Sequence, residues 1–274
     1  MKKSILLTII AILLAGSCFA ADVDKPMQIY TTSWPGLTGL YIIPTARIIG
    51  KGNWAIGFNE SKHTEYVEGD RFSDRHIRLV NTYGISDKLE ACFTYYNNMY
   101  TIPPGIEPDL DNKGFYTLGL KLQLVQEDPC KWYPAFAIGV RDITDNTADT
   151  GSLENVNNGT KVYFLASKKI LNSARYGKFM DVHGGVTVDK LTISGLLGFE
   201  LTIAPNASFI AEGIWDAPYL NFRKFGNNDV PGRFLFNTGV RIYPEMAPGL
   251  TFDLGFIGDG EFEFSFGTSY VIHI

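Results

Sequence analysis

The chain has 274 residues, among them 28 glycines, 19 phenylalanines and 14 tyrosines, with a net charge of −5 and a mean hydropathy of zero. No basic surplus is available for a nucleic-acid footprint, and no apolar run after the first twenty residues is long enough for a membrane helix. Flat hydropathy with abundant aromatics and glycine fits a chain whose apolar residues are interleaved with polar ones, as in a barrel that crosses a membrane with strands.

At the start, Lys2 and Lys3 precede an apolar run from Ile5 to Leu14 broken only by Thr8, and Gly16-Ser17-Cys18-Phe19-Ala20 leads into Ala21-Asp22-Val23-Asp24. This predicts a signal peptide over 1–20, cleaved after Ala20. Leu14 to Cys18 also offers a looser lipoprotein site that would leave Cys18 lipidated. Without Lys2 and Lys3, 22 basic residues stand against 29 acidic ones, a charge of −7. Residues 21–52 are apolar yet punctuated by Gly and Pro, which argues against a regular helix or strand. So many apolar residues predict a segment packed into a lumen or against a periplasmic rim.

Twelve stretches then alternate with period two between breakers. They are Asn53 to Ser61, Arg75 to Tyr83, Lys88 to Asn97, Lys113 to Val125, Tyr133 to Asp142, Gly159 to Lys169, Met180 to Val188, Gly195 to Ala204, Ala207 to Asp216, Gly232 to Tyr243, Leu250 to Ile257, and Glu261 to Ile274. In the fourth, Tyr116, Leu118, Leu120, Leu122 and Leu124 share one face and Lys121 lies on the other, so the Lys121 face must look inward, away from lipid. In the last, Phe262, Phe264 and Phe266 form the greasy face and are expected to pair with the first strand, where Trp54, Ile56 and Phe58 continue the band.

Connections alternate between long and short. His63 to Asp74, Asn98 to Asn112, Ile143 to Asn158 and Ala217 to Pro231 read as long polar outer loops, and Gly84 to Asp87, Gln126 to Lys131, Pro205-Asn206 and Pro244 to Gly249 as tight periplasmic turns. The sixth link, Ile170 to Phe179, breaks the pattern by being long where a short turn is expected.

Alternation sends Lys121, Arg141, Glu200, Glu212, Arg233, Arg241, Asp253, Glu261 and Glu263 into the lumen, with Glu261 and Glu263 answering Arg233 and Arg241 near the closure. Such a set serves either as a structural ion-pair network or as a charged constriction on a solute path. The histidines His63, His76, His183 and His273 are scattered, with no metal-binding spacing. His183 with Asp181, and Glu200 with Glu212, share faces as ordinary lumen residues do, so no catalytic residue, metal or cofactor is predicted. Cys92 in a strand and Cys130 in a turn read as idle thiols rather than a bridge.

Gly36-Leu37-Thr38-Gly39-Leu40, then Pro44-Thr45-Ala46-Arg47 and Gly52-Asn53-Trp54-Ala55-Ile56-Gly57, resembles the opening motif of the YjbH-like family of outer-membrane β-barrel proteins. Ile210-Ala211-Glu212-Gly213 with Asn221-Phe222 is a weaker echo of the same family. The resemblance implies a link to exopolysaccharide production and export, and no catalytic residues. The better-known relatives are longer, and many outer-membrane barrels end in an aromatic residue where this chain has Ile274.

The expected fold is therefore all-β: a closed antiparallel transmembrane barrel of about twelve strands over 53–274, with 21–52 as a lumenal or periplasmic segment. A soluble secreted β-sandwich is the alternative. The expected function is a non-enzymatic role in exopolysaccharide export or envelope organisation, with a passive porin-like channel and a lipid- or glycan-modifying enzyme as rivals. Expected partners are outer-membrane lipid, the barrel assembly machinery, and polysaccharide or export proteins, with no nucleic acid.

Overall fold

The computed structural model describes residues 31–33, 36–67, 70–101, 114–128, 131–144, 160–173, 178–188, 193–215, 234–258 and 262–273. The expected leader with Cys18, and also Cys130, Arg233 and Glu261, lie outside these residues. Twelve strands follow one another: β1 Trp54–Val67, β2 Asp70–Ser86, β3 Leu89–Thr101, β4 Gly114–Val125, β5 Ala135–Arg141, β6 Lys161–Ser173, β7 Lys178–Val188, β8 Ile193–Ala204, β9 Ala207–Trp215, β10 Phe234–Ile242, β11 Leu250–Gly258 and β12 Phe262–Ile272. Each pairs antiparallel with its sequence neighbours, and β1 closes on β12 from Trp54↔Ile272 to Ser61↔Ser265. The chain is a closed twelve-stranded barrel, which leaves no sandwich and no second sheet among the described residues.

Alternation decides which face meets what. On β4, Leu118, Leu120, Leu122 and Leu124 are 42, 40, 42 and 56% exposed, while Lys121 is wholly buried. The same outward band recurs as Phe136, Phe164, Leu197, Leu254, Phe256 and Phe264. A continuous apolar belt around a closed barrel is a lipid-facing surface, since water would penalise it throughout. Aromatic rims flank the belt, with Trp54, Tyr83, Trp132 and Tyr270 near the turns and Tyr95, Tyr116 and Trp215 near the long connections. The barrel is built to cross a membrane with its strands.

Three of the expected connections are strand in part or whole, among them Asn98 to Asn112, whose first residues Asn98 to Thr101 continue β3 against β2. His63 to Asp74 was expected as a polar loop, but the β1–β2 ladder runs unbroken to Val67↔Asp70. Lys62, His63, Glu65, Arg71 and Asp74 interrupt any apolar alternation there, while the backbone ladder continues. The sixth link shrinks similarly, because β6 reaches Ser173 and β7 starts at Lys178. A register shift between Lys169 and Leu171 inserts one residue, which inverts the period-two pattern and makes a continuing strand look finished. With that correction the short turn stands where the alternation of links requires it.

Candidate functional site

The lumen is occupied by the chain's own N-terminal segment. Residues 31–33 and 36–49 are buried, and Gly52 N–H donates to the Gly84 carbonyl at 2.8 Å as the segment runs into β1. Its shape follows from its glycines and short polar residues. Gly36 adopts φ +116°, and Ser33 N–H bonds Leu37 O at 2.7 Å, so the chain doubles back with Thr32 opposite Thr38. Gly39 then lies opposite Pro44, where a Cβ would come within 2.4 Å of the Ile43 carbonyl, and Leu40 N–H closes the turn on Ile43 O at 3.0 Å. Gly36, Leu37, Thr38, Gly39, Leu40, Pro44, Thr45 and Ala46 thus shape two successive turns, with Arg47 at their exit.

Leu37, Leu40, Tyr41, Ile42, Ile43 and Ala46 join Ala135, Ala137, Tyr163, Leu165, Leu196, Ile210, Ile214 and Leu235 in one apolar cluster inside the barrel. Burial of each large side chain contributes about 1.5–3 kcal/mol. Irregular backbone at membrane depth must find partners in protein, because lipid offers none. The inner wall supplies them through carboxylates.

Glu90 on β3 accepts Thr38 N–H at 2.8 Å, Thr38 Oγ1 at 2.6 Å and Ile49 N–H at 3.0 Å. Lys121 on β4 neutralises it, with Nζ 2.9 Å from Glu90 Oε1 and 2.9 Å from the Thr38 carbonyl it also donates to. Across the lumen, Glu212 on β9 accepts Ile42 N–H at 2.9 Å and Ile43 N–H at 3.1 Å, and Asn237 Nδ2 donates to it at 2.7 Å. Arg47 reaches outward from the plug to grip Asp181 on β7 with two bonds of 2.6 and 2.9 Å, and Glu127 at 3.1 Å. Glu127 is shared with Lys168 at 3.2 Å.

Arg241 on β10 donates twice to Asp253 on β11, at 2.7 and 3.0 Å, and to the plug carbonyls of Gly39 and Leu40 at 3.4 Å. Glu200 stands 3.8 Å from Arg241 and accepts a short hydrogen bond from Tyr243. Burial, and then the Glu200 carboxylate, pushes the Tyr243 phenol well above its usual range, so it remains a donor. Hydrogen bonds also tie Thr82 to Gly36 O, Gln123 to Ala46 O, Ala46 N–H to Ser167 Oγ, and Tyr41 to Leu254 O. The plug is therefore fastened to eight strands: β2, β3, β4, β6, β7, β9, β10 and β11.

The structure gathers Lys121, Glu200, Glu212, Arg241 and Asp253 around the plug and places Arg141 higher, toward the long connections. It corrects the expected partners of Arg241. Register sets Asp253 directly opposite Arg241, whereas Glu263 sits opposite Ile257, nearer the far end of the barrel. Arg233 and Glu261, the other half of that expectation, lie outside the described residues. Glu90, Asp181 and Glu127 are the wall groups the sequence reading did not single out as lumen charges. The first two were open to discovery by alternation, since Glu90 shares a face with Cys92 and Thr94, and Asp181 with His183. Glu127 lies past the end of β4, where alternation has stopped. His183 Nδ1 is 2.9 Å from Ser167 Oγ, beneath the plug backbone, and Cys92 is a buried free thiol facing the lumen.

By sequence the chain matches no family model and no curated protein. By structure it is similar to the translocator domain of the autotransporter NalP from Neisseria meningitidis, with 14% identity, TM-score 0.44, and 82% of this chain and 89% of that one covered. It is also similar to an outer membrane channel from Pseudomonas putida F1, with 14% identity, TM-score 0.47 and coverage of 91% and 99%. A third similar structure is the outer membrane protein Omp33 of Acinetobacter baumannii, with 7% identity, TM-score 0.39 and coverage of 82% and 99%. What distinguishes the lumen here is read from its own residues. Buried ion pairs and backbone-capturing carboxylates hold the N-terminal segment inside the barrel.

Proposed function

We propose that the protein is a plugged bacterial outer-membrane barrel, delivered by a cleaved signal peptide, with a non-enzymatic role in exopolysaccharide export or envelope organisation. One observation carries the plugged state: residues 31–33 and 36–49 are buried in the lumen and fastened to eight strands. A passive diffusion pore would gain nothing from a segment so fixed. The polysaccharide link rests on the resemblance of residues 36–40 and 44–47 to the YjbH-like motif, and the residues of that motif are the ones that shape the plug.

Two measurements test this. The purified full-length protein in a planar bilayer gives a closed trace, and Arg47→Ala, which removes the plug's ion pairs to Asp181 and Glu127, introduces intermittent conductance. Steady open-channel steps from the unaltered protein would sink the plugged reading. Deleting the gene lowers surface polysaccharide, restored by the wild-type copy, and an unchanged polysaccharide yield would remove the export role.

A further inference from the structure

The wall carboxylates around the plug divide by their counter-charges. Glu90 has Lys121 directly across the ladder, Asp253 has Arg241, and Asp181 has Arg47. Glu212 has no cation in contact among the described residues. Its cross-strand neighbours are Gly198 on β8 and Asn237 on β10, and the apolar Ile210 and Ile214 flank it on the inner face of β9. The ionisable groups that feel its charge are Tyr41 on the plug and Arg241 on β10, with Asp253 and Glu200 beyond them. Tyr41 is bonded to Leu254 O at 3.2 Å, and Arg241 is committed to Asp253 at 2.7 and 3.0 Å. The charge on Glu212 is therefore held by hydrogen bonds alone, from Ile42 N–H, Ile43 N–H and Asn237 Nδ2.

A second observation lies beside it. Asn237 Oδ1 is buried and accepts no hydrogen bond among the described residues, although Nδ2 of the same amide donates to Glu212 at 2.7 Å. Around an ionised Glu212 every partner is a donor, so that oxygen has no proton to receive. A neutral carboxyl carries an O–H, and a half-turn of the Asn237 amide brings Oδ1 to accept it. The wall thus accommodates both forms of Glu212. The plug is not served equally by them, because Ile42 and Ile43 exchange a charged acceptor for one neutral carbonyl oxygen, and charge-assisted hydrogen bonds are roughly twice as strong as neutral ones.

We propose that Glu212 and Asn237 form a proton-operated catch on the plug. Ionised, Glu212 holds the turn at Ile42 and Ile43; protonated, it bonds to Asn237 and lets that turn loosen, while Glu90 with Lys121 and Arg47 with Asp181 keep the rest of the segment seated. The step is one proton taken from water onto a carboxylate oxygen, with no other covalent change. The hold is therefore present at high pH and lost as pH falls. The inference rests on the plugged reading above. Hydrogen exchange of the folded, detergent-solubilised full-length protein tests it, scanned from about pH 8 to about pH 4, past the ordinary glutamate value of about 4.3, with rates corrected for their intrinsic pH dependence. Protection of the Ile42 and Ile43 amides falls at least about ten-fold at the acid end, as charge assistance is lost, while the Thr38 and Ile49 amides, which Glu90 holds, stay protected. Glu212→Gln, an uncharged isostere, shows the loosened Ile42 and Ile43 at both ends of the scan. If that variant fails to shift gel mobility on boiling, and so is misfolded, the comparison of the two amide pairs within the unaltered protein decides alone. Three results overturn the proposal: protection of Ile42 and Ile43 that does not change with pH, loosening of Thr38 and Ile49 in step with them, which marks general acid unfolding, or a folded Glu212→Gln variant that keeps the pH dependence. Steady open-channel steps from the unaltered protein at about pH 8 would remove the plugged reading itself, whereas a closed trace with uniform protection across the scan removes the catch alone.

Discussion

On the outer face of β4, Leu118, Leu120, Leu122 and Leu124 present hydrocarbon to lipid, while on the inner face Lys121 and Gln123 each meet a particular atom of the plug. The same strand thus carries two kinds of constraint. Outside, only apolarity and size matter, because lipid adapts to any shape. Inside, identity matters, because Glu90 is shared by one lysine and two backbone N–H groups that nothing else could satisfy.

The difference can be broken most sharply at the central pair. Lys121→Met leaves Glu90 buried without its cation and destabilises the fold by about 3–5 kcal/mol, whereas Leu120→Met next to it costs less than about 1.5 kcal/mol. Urea titration of the boiling-sensitive gel shift measures both, and equal losses would erase the distinction. A smaller effect follows from forcing the outer face to carry charge. Leu120→Arg costs about 2–4 kcal/mol if the belt lies in hydrocarbon, and near zero if that surface meets water.

Glycines sharpen the contrast further. A Cβ on inward Gly198 would lie 2.5 Å from Leu40 Cδ1, while one on outward Gly195 has nothing nearer than 3.9 Å. Gly195→Ala stabilises by up to about 1 kcal/mol through lost chain freedom, and Gly198→Ala reverses that sign by about 1–3 kcal/mol as Leu40 is displaced. Least affected is the outward ion pair of Arg75 and Glu60 at 2.7 Å, with side chains 48% and 33% exposed. Arg75→Gln leaves the stability nearly unchanged there, and the contrast with Lys121→Met measures what enclosure adds to an ion pair.

All twelve strands were legible because each keeps period two across the lipid belt, where one face must be apolar and the other need not be. Legibility failed where that requirement lapses. The end of the β1–β2 hairpin hid its strands behind Lys62, His63 and Glu65, and the shift between Lys169 and Leu171 hid the end of β6. Within the lumen, alternation could aim Lys121, Glu212, Arg241 and Asp253 inward, but it could not say what they meet. Their partners come from a segment with no period at all, whose path is fixed by Gly36, Gly39 and Pro44. The pairing of Arg241 with Asp253 needed only the β10–β11 register, while Arg47 with Asp181 joins residues 134 positions apart and leaves no local trace.

The carboxylates that capture plug backbone also bear on assembly. A slip of one residue between neighbouring strands turns every inward side chain toward lipid. Slipping β3 would carry Glu90 away from Thr38 and Ile49, and slipping β9 would carry Glu212 away from Ile42 and Ile43. Because one short segment holds both, its seating acts as a gauge that only the correctly indexed wall can satisfy. The segment joins β1 directly, and the pairing of β1 with β12 is the one that closes the ring. A barrel with any of these registers displaced would therefore leave buried plug N–H groups without their carboxylates.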